Sequence, residues 1–284
     1  MIMKKWLNSI YWILLCGSTI IVCLFLGVIL WDIFAKGFSS LSLPFLIQFP
    51  SNGMTQGGIL PAIVGTVILT FITTLFSVPI GVACAIYLNE YAKPTTMTNI
   101  IRASIRNLAG IPSIIYGLFG LALFVQTMHL GTSILSAGLT LGLLSLPYII
   151  TTTEEALKRI PNSLREATLA LGVTQAETIK DVVLPKALPG ILTGVILTLS
   201  RAAGETAPIL FTGVAFYING VSTSPNQEFM ALPYHLYMLS TQHNAIEQVR
   251  PLAYATAMVL ILLVFVLNSV AVYVRYKNRT QDKR

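Results

Sequence analysis

Six apolar stretches, each near the length a helix needs to cross a bilayer, recur along this chain of 284 residues. About 20 consecutive apolar residues are enough to cover the hydrocarbon. The stretches are 10–31, 59–88, 108–128, 134–152, 188–212 and 252–274. The second is long enough to tilt or kink, with Pro79 and Gly81 near its end. Pro147 interrupts the fourth. Few residues, around His129 and Gly131, separate the third from the fourth, so these two pair as an antiparallel hairpin. Composition agrees: 10% of residues are charged and the mean hydropathy is +0.76, against about 25% charged in soluble domains. The expected fold class is an all-α integral membrane protein with six transmembrane helices. Its divisions are an N-terminal span with an external segment (1–58), a core of five spans (59–274) and a basic tail (275–284).

Charge placement sets the orientation. Fifteen of the eighteen Lys and Arg residues precede the first stretch, follow the sixth, or lie in the loops after the second and fourth. Basic residues collect on the cytoplasmic side. Both termini and those two loops are therefore expected in the cytoplasm. The net charge of +7 is topological and does not point to nucleic acid.

Lys4 and Lys5 before 10–31 resemble the start of a secretion signal. The run is longer than a signal core of roughly 7–15 residues, and no Ala-x-Ala site follows, so it reads as a retained span. Cys16, Cys23 and Cys84 lie inside apolar runs and read as buried free thiols. His129, His235 and His243 are scattered over loops, and no metal-ligating spacing is present. Closely spaced small residues, Gly117 with Gly120, Gly138 with Gly142 and Gly190 with Gly194, allow close helix approach, chiefly within the chain's own bundle. The external segment 213–251 carries an apolar, aromatic run, 229–239, too short to span. It is expected to lie at the membrane interface or to cover an external mouth.

The candidate working site is Arg201 with Glu205, inside the fifth stretch. A charge at that depth costs on the order of 2.5–3.5 kcal/mol, so it persists where it meets water, a partner helix or a substrate. Arg201 stays cationic and its planar fork fits a tetrahedral oxyanion. Glu205 lies one helical turn along the same face. The pair reads either as an anion waypoint or as two charges that neutralise each other and lock the helix. Thr198, Ser200 and Thr206 are candidate helpers, although hydroxyls in such helices usually bond their own backbone.

The loop 161–185 reads as two short helices joined by a turn. Ser163 with Glu166 fits a capping box, as does Thr174 with Glu177. Gly172 sits at a C-cap position and Pro185 is expected to stop the second helix. The apolar faces of such a pair suit either a groove on a soluble partner or packing on the chain's own bundle.

Glu166-Ala167-Thr168, three residues, Gly172, nine residues, then Val182-Val183-Leu184-Pro185 resembles the Glu-Ala-Ala loop of ABC importer permeases, with Thr168 and Val182 as mild departures. The resemblance implies a type I permease fold in which this pair couples to a cytoplasmic ATPase. It marks Ser163, Glu166, Ala167, Gly172, Leu184 and Pro185 as coupling positions. Three further segments, 57–66, 110–113 and 201–208, are similar to the phosphate-uptake permeases, and the whole is similar to the PstA type. This likeness implies a translocation path including Arg201, Glu205, Thr206 and Thr198. It also implies four partners: ATP-binding subunits, a homologous permease of the PstC type, an external phosphate-binding protein and inorganic phosphate. The chain has no Gly-x4-Gly-Lys-Ser/Thr loop, so no cofactor is expected on it and ATP is expected to be used by the partner. The rival readings are a permease for sulfate or molybdate, a passive channel, and an intramembrane enzyme using Glu205 with a histidine. The resemblance places the protein in the bacterial inner membrane.

Overall fold

The computed structural model describes residues 2–218, 220–222 and 224–281. In hydrocarbon each backbone N–H and C=O must find a partner within its own segment, which leaves helices as the form these apolar runs adopt. Among the described residues five continuous helices can cross a membrane: Tyr11–Ser40, Leu60–Tyr91, Ile134–Lys158, Gln175–Ala202 and Ile246–Ser269. A bent pair, Thr96–Leu108 with Ser113–Thr127, folded through 100°, would make six if it counts as one broken span. Lys283 and Arg284 of the expected basic tail lie outside the described residues.

The first helix, α1 (Ile2–Gly37), is followed outside the span by a short helix α2 (Leu43–Ile47) and a two-stranded antiparallel ribbon, β1 (Pro50–Ser51) against β2 (Gln56–Gly57). Helix α3 (Leu60–Ile86) runs on through Pro79 and widens into a π-type turn, Tyr87–Tyr91. Its partner is α6 (Ile134–Lys158), and side chains along both contribute to two successive core clusters. Small residues allow the approach. A Cβ on Gly138 would meet Ile72, and one on Gly194 would meet Thr152. The glycines therefore pack within the chain's own bundle, as expected. Thr66, Thr70, Thr74 and Ser77 each bond a carbonyl one turn back, while Thr73 Oγ1 donates across to the Gly138 carbonyl of α6 at 3.3 Å.

The third span differs from expectation. Residues 108–128 do not form one helix. Helix α4 (Thr96–Leu108) ends and α5 (Ser113–Gly120), continued by Leu121–Thr127, begins after the bend. Gly110 loosens the chain and Pro112 disfavours helix at Ile111, so the break falls between them. Helix α4 carries Arg102 and Arg106 and cannot enter hydrocarbon cheaply. Arg102 instead bonds Glu154 of α6 at 2.7 Å.

The loop after α6 holds α7 (Asn162–Ala170) and α8 (Gln175–Thr178). The Thr174–Glu177 capping box forms. The Ser163–Glu166 box does not, because α7 already starts at Asn162, after Pro161, which leaves Ser163 inside the helix. Gly172 has φ +80°, the left-handed conformation that ends a helix. Pro185 does not stop the second helix. A π-type widening at Ile179–Val183 absorbs the donor Pro185 lacks, and the chain continues into α9 (Leu184–Ala202).

The outer layer holds α10 (Ala207–Leu210), α11 (Leu232–Thr241) and the start of α12 (Ile246–Gln281). The run 229–239 does not float at the interface: it is packed into the bundle. Phe229, Met230, Leu232 and Leu239 are buried in the bundle. A Cβ on Gly65 would lie 2.0 Å from the Met230 carbonyl oxygen, and Thr66 Oγ1 accepts from Leu232 N–H at 2.9 Å. Only a residue without a side chain lets this segment seat so deeply. His235 is likewise on a buried helix face and not in a loop, and desolvation pushes its pKa down to about 4. Cys16 and Cys23 are free but exposed along α1, contrary to expectation, because the apolar length of α1 is not covered by its own bundle.

Candidate functional site

Helix α9 ends at Ala202, and Gly204, Glu205 and Thr206 lie in a break before α10. The expected continuous span 188–212 is therefore wrong. Pro208 offers no N–H to continue the ladder, and Gly204 removes the penalty for leaving it. Arg201 occupies the last helical turn and Glu205 the break itself. Their separation along the chain still places them together: Arg201 Nε donates to Glu205 Oε1 at 3.2 Å. The Arg201 side chain is 52% exposed and that of Glu205 is 16% exposed.

A third residue completes the group. The Arg201 guanidinium carbon sits 4.7 Å from the centre of the Tyr148 ring. A cation over an aromatic face is held by the ring's quadrupole, more strongly as water is excluded. The Tyr148 hydroxyl in turn donates to the Ala109 carbonyl at 2.8 Å. Tyr148 lies near the middle of α6, so Arg201 stands level with the middle of that helix. Ala109 lies at the α4–α5 break, where Gly110–Ser113 turns the chain. Two interrupted helices thus meet around one tyrosine. Helix α10 closes the contact: Gly117 of α5 would meet Pro208 and Phe211 if it carried a Cβ.

The sequence segments 110–113 and 201–208 are thereby brought together, whereas 57–66 packs elsewhere, under the 229–232 segment. Thr198 is buried and bonds the Gly194 carbonyl at 2.8 Å, so its hydroxyl serves its own helix. Ser200 bonds the Ile196 carbonyl and Asn268 of α12. Thr206 stands in the break beside Glu205. Tyr148 was missed from sequence, since an aromatic within an apolar run gives no signal of its own.

At the other end of α9 the loop presents a bare face. None of the residues of α7 is buried, and Leu171 at its end is 81% exposed. Glu166 and Ala167 lie on this exposed helix, Gly172 ends it, and Leu184 and Pro185 open α9. The helix is fastened to the bundle through Arg165, whose guanidinium takes both carboxylate oxygens of Glu90 at 2.9 and 2.7 Å.

Residues 77–280 match the family described as binding-protein-dependent transport system inner membrane component. A probable ABC transporter permease protein, YqgI, of Bacillus subtilis is 34% identical over 268 residues, 90% of each chain. The phosphate transport system permease protein PstA of Haemophilus influenzae is 35% identical over 88% of this chain and 87% of its own. PstA 1 of Mycobacterium tuberculosis is 30% identical over 95% and 88%. Among solved structures, a bacterial alginate ABC importer superposes with a TM-score of 0.67 at 13% identity over 95% of this chain and 96% of the other. The MetNI methionine transporter gives 0.63 at 20% identity over 78% and 95%. Five continuous spans, one broken span and an exposed helix pair before α9 agree with these matches: the chain belongs to the binding-protein-dependent transport system inner membrane components, the permeases of ABC importers, and within them to the PstA type.

Proposed function

We propose that this chain is the transmembrane permease subunit of an ATP-driven phosphate importer, with Arg201 as the anion waypoint and the α7–α8 pair as the seat of the ATPase. The observation that supports it is the half-exposed guanidinium of Arg201, stacked on Tyr148 near the middle of the apolar helix α6. Leaving it against lipid would cost on the order of 2.5–3.5 kcal/mol, so its open side belongs to a water-filled path shared with a second permease. The phosphate permeases among its relatives favour phosphate over other oxyanions as the cargo. On this reading a PstC-type partner completes the conduit, an external phosphate-binding protein loads it, and ATP is split by cytoplasmic subunits and not by this chain. Both termini then face the cytoplasm.

The chemistry follows from the three side chains. Arg201 offers charged N–H donors to phosphate oxygens. Tyr148 holds the fork at a fixed place, and Glu205 orients it through Nε. Phosphate near neutral pH still carries a proton, which the Glu205 carboxylate can accept in a hydrogen bond. Sulfate has none, and would set its charge against that carboxylate with no proton to bridge them, a repulsion that builds selectivity by exclusion.

The test uses the complex purified with its ATPase and permease partners and placed in vesicles. ATP-dependent phosphate uptake that excess sulfate or molybdate does not suppress supports the reading. Equal competition by sulfate rejects phosphate as the cargo, and flux without ATP rejects the importer. In the same vesicles Glu205→Gln is expected to narrow the phosphate-over-sulfate preference about tenfold, equivalent to ~1.4 kcal/mol. An unchanged preference with less protein would make Glu205 a structural residue. Tyr148→Phe keeps the ring but loses the bond to Ala109, and is expected to slow uptake a few-fold. Tyr148→Leu removes the platform as well and is expected to slow uptake about tenfold or more, in keeping with a cation–π contact of ~1–2 kcal/mol. Equal rates for both variants would remove Tyr148 from the site.

A further inference from the structure

The exposed helix α7 has no fully buried residue to anchor it to the bundle. Between it and the bundle lies a hollow of about 370 Å³, bordered by Asn89, Lys158, Asn162 and Leu169. What bridges the two is polar and concentrated on one arginine. Arg165 Nε and Nη2 donate to Glu90 Oε2 and Oε1 at 2.9 and 2.7 Å. Its Nη1 also donates to the Ile160 carbonyl at 2.7 Å, and its Nη2 to the Leu157 carbonyl at 3.1 Å, which fixes it to the end of α6. Glu90 is 5% exposed, receives Asn89 Nδ2 at 2.7 Å, and its backbone carbonyl accepts from Gln175 Nε2 at 2.6 Å. One residue in the π-type turn at the foot of α3 therefore holds both α7, through its carboxylate, and α8, through its carbonyl.

We propose that the Glu90–Arg165 pair is the strut that carries movement of the coupling helix α7 into span α3. This rests on the reading of α7 as the docking helix. A bidentate fork resists rotation as well as separation, so it transmits direction where a single charge contact would swivel. The hollow beside it lets α7 shift without clashing, so displacement reaches the bundle through this contact. Helix α3 lies against α6, which carries Tyr148, so the strut leads to the helices around Arg201. Glu90 and Arg165 are positioning residues: they touch neither phosphate nor ATP.

Three variants test this in the full complex: Glu90→Gln, Arg165→Lys, which keeps the charge but loses the fork, and the double variant. The readout is phosphate moved per ATP split, a ratio that falls with lost coupling but not with lost protein. Each single variant is expected to lower that ratio about tenfold with the ATPase still co-purifying, and the double no further than the worse single, as for residues acting through one contact. A native ratio in either single variant, or multiplied losses in the double, overturns the strut. Failure of the docking reading shows separately: a photoreactive amino acid at position 171, 81% exposed in the native side chain, would not cross-link to the ATPase in the native complex. If it does cross-link and the ratio stays native, docking stands and the strut alone falls.

Discussion

Arg201→Gln is expected to reduce phosphate uptake at least about 100-fold, ~2.7 kcal/mol, the worth of one to two hydrogen bonds from a charged donor. Assembly and ATPase docking should survive. The two readings of the pair diverge in the companion variant. If Arg201 and Glu205 merely neutralise each other, Arg201→Gln strands a carboxylate, which costs about 3–5 kcal/mol where it is buried, and Arg201→Gln with Glu205→Gln should recover both abundance and transport. If Arg201 meets the cargo, the double variant recovers abundance at most and transport stays lost. Arg201→Lys separates charge from shape, and is expected to fall between native and Gln because it keeps the cation and loses the fork. Initial rates in vesicles, normalised to incorporated protein, supply the comparison.

The second large effect lies in the loop before α9. Leu171 is 81% exposed at the close of α7, an apolar side chain with no cover from its own chain. Seated in a groove of the ATPase it would be an interface anchor, and such anchors carry ~2–4 kcal/mol each. Leu171→Asp places a charge there and is expected to weaken ATPase association roughly 30-fold or more, with uptake falling in parallel. Pull-down of the ATPase by the tagged permease measures it. Full retention would mean that this face points to solvent in the assembly. Leu171→Met, similar in size, is expected to leave association unchanged.

Much of this architecture was legible from spacing and composition. Apolar runs near 20 residues located the spans, and Thr174 with Glu177 located a helix start that the structure confirms. The family loop was legible because its Glu, Gly and Leu-Pro positions keep fixed distances. The failures share a physical origin. Hydropathy measures solvent transfer and not backbone continuity, so the breaks at Gly110–Pro112 and at Gly204–Thr206 were read through, although Gly and Pro stood in both. The opposite error occurred at Pro185, where a π-type turn lets the helix continue. Ser163 with Glu166 had the letters of a capping box, but Pro161 had already set the helix start. The 229–239 run looked interfacial because nothing local shows that Gly65, far away in sequence, leaves room for it. Tyr148 beneath Arg201 and Glu90 beside Arg165 were invisible for the same reason, since each pairing joins residues that only the packed bundle brings together.

On this mechanism the Arg201 guanidinium faces a conduit and meets phosphate there. The most direct measurement is a structure of the assembled importer, arrested with ADP and vanadate in the presence of phosphate. The guanidinium is expected to be open to a channel between the two permeases, with a phosphate oxygen within roughly 2.7–2.9 Å of its N–H groups. A guanidinium sealed against the partner's apolar surface, bonded to Glu205 and stacked on Tyr148 with no path beside it, would contradict it.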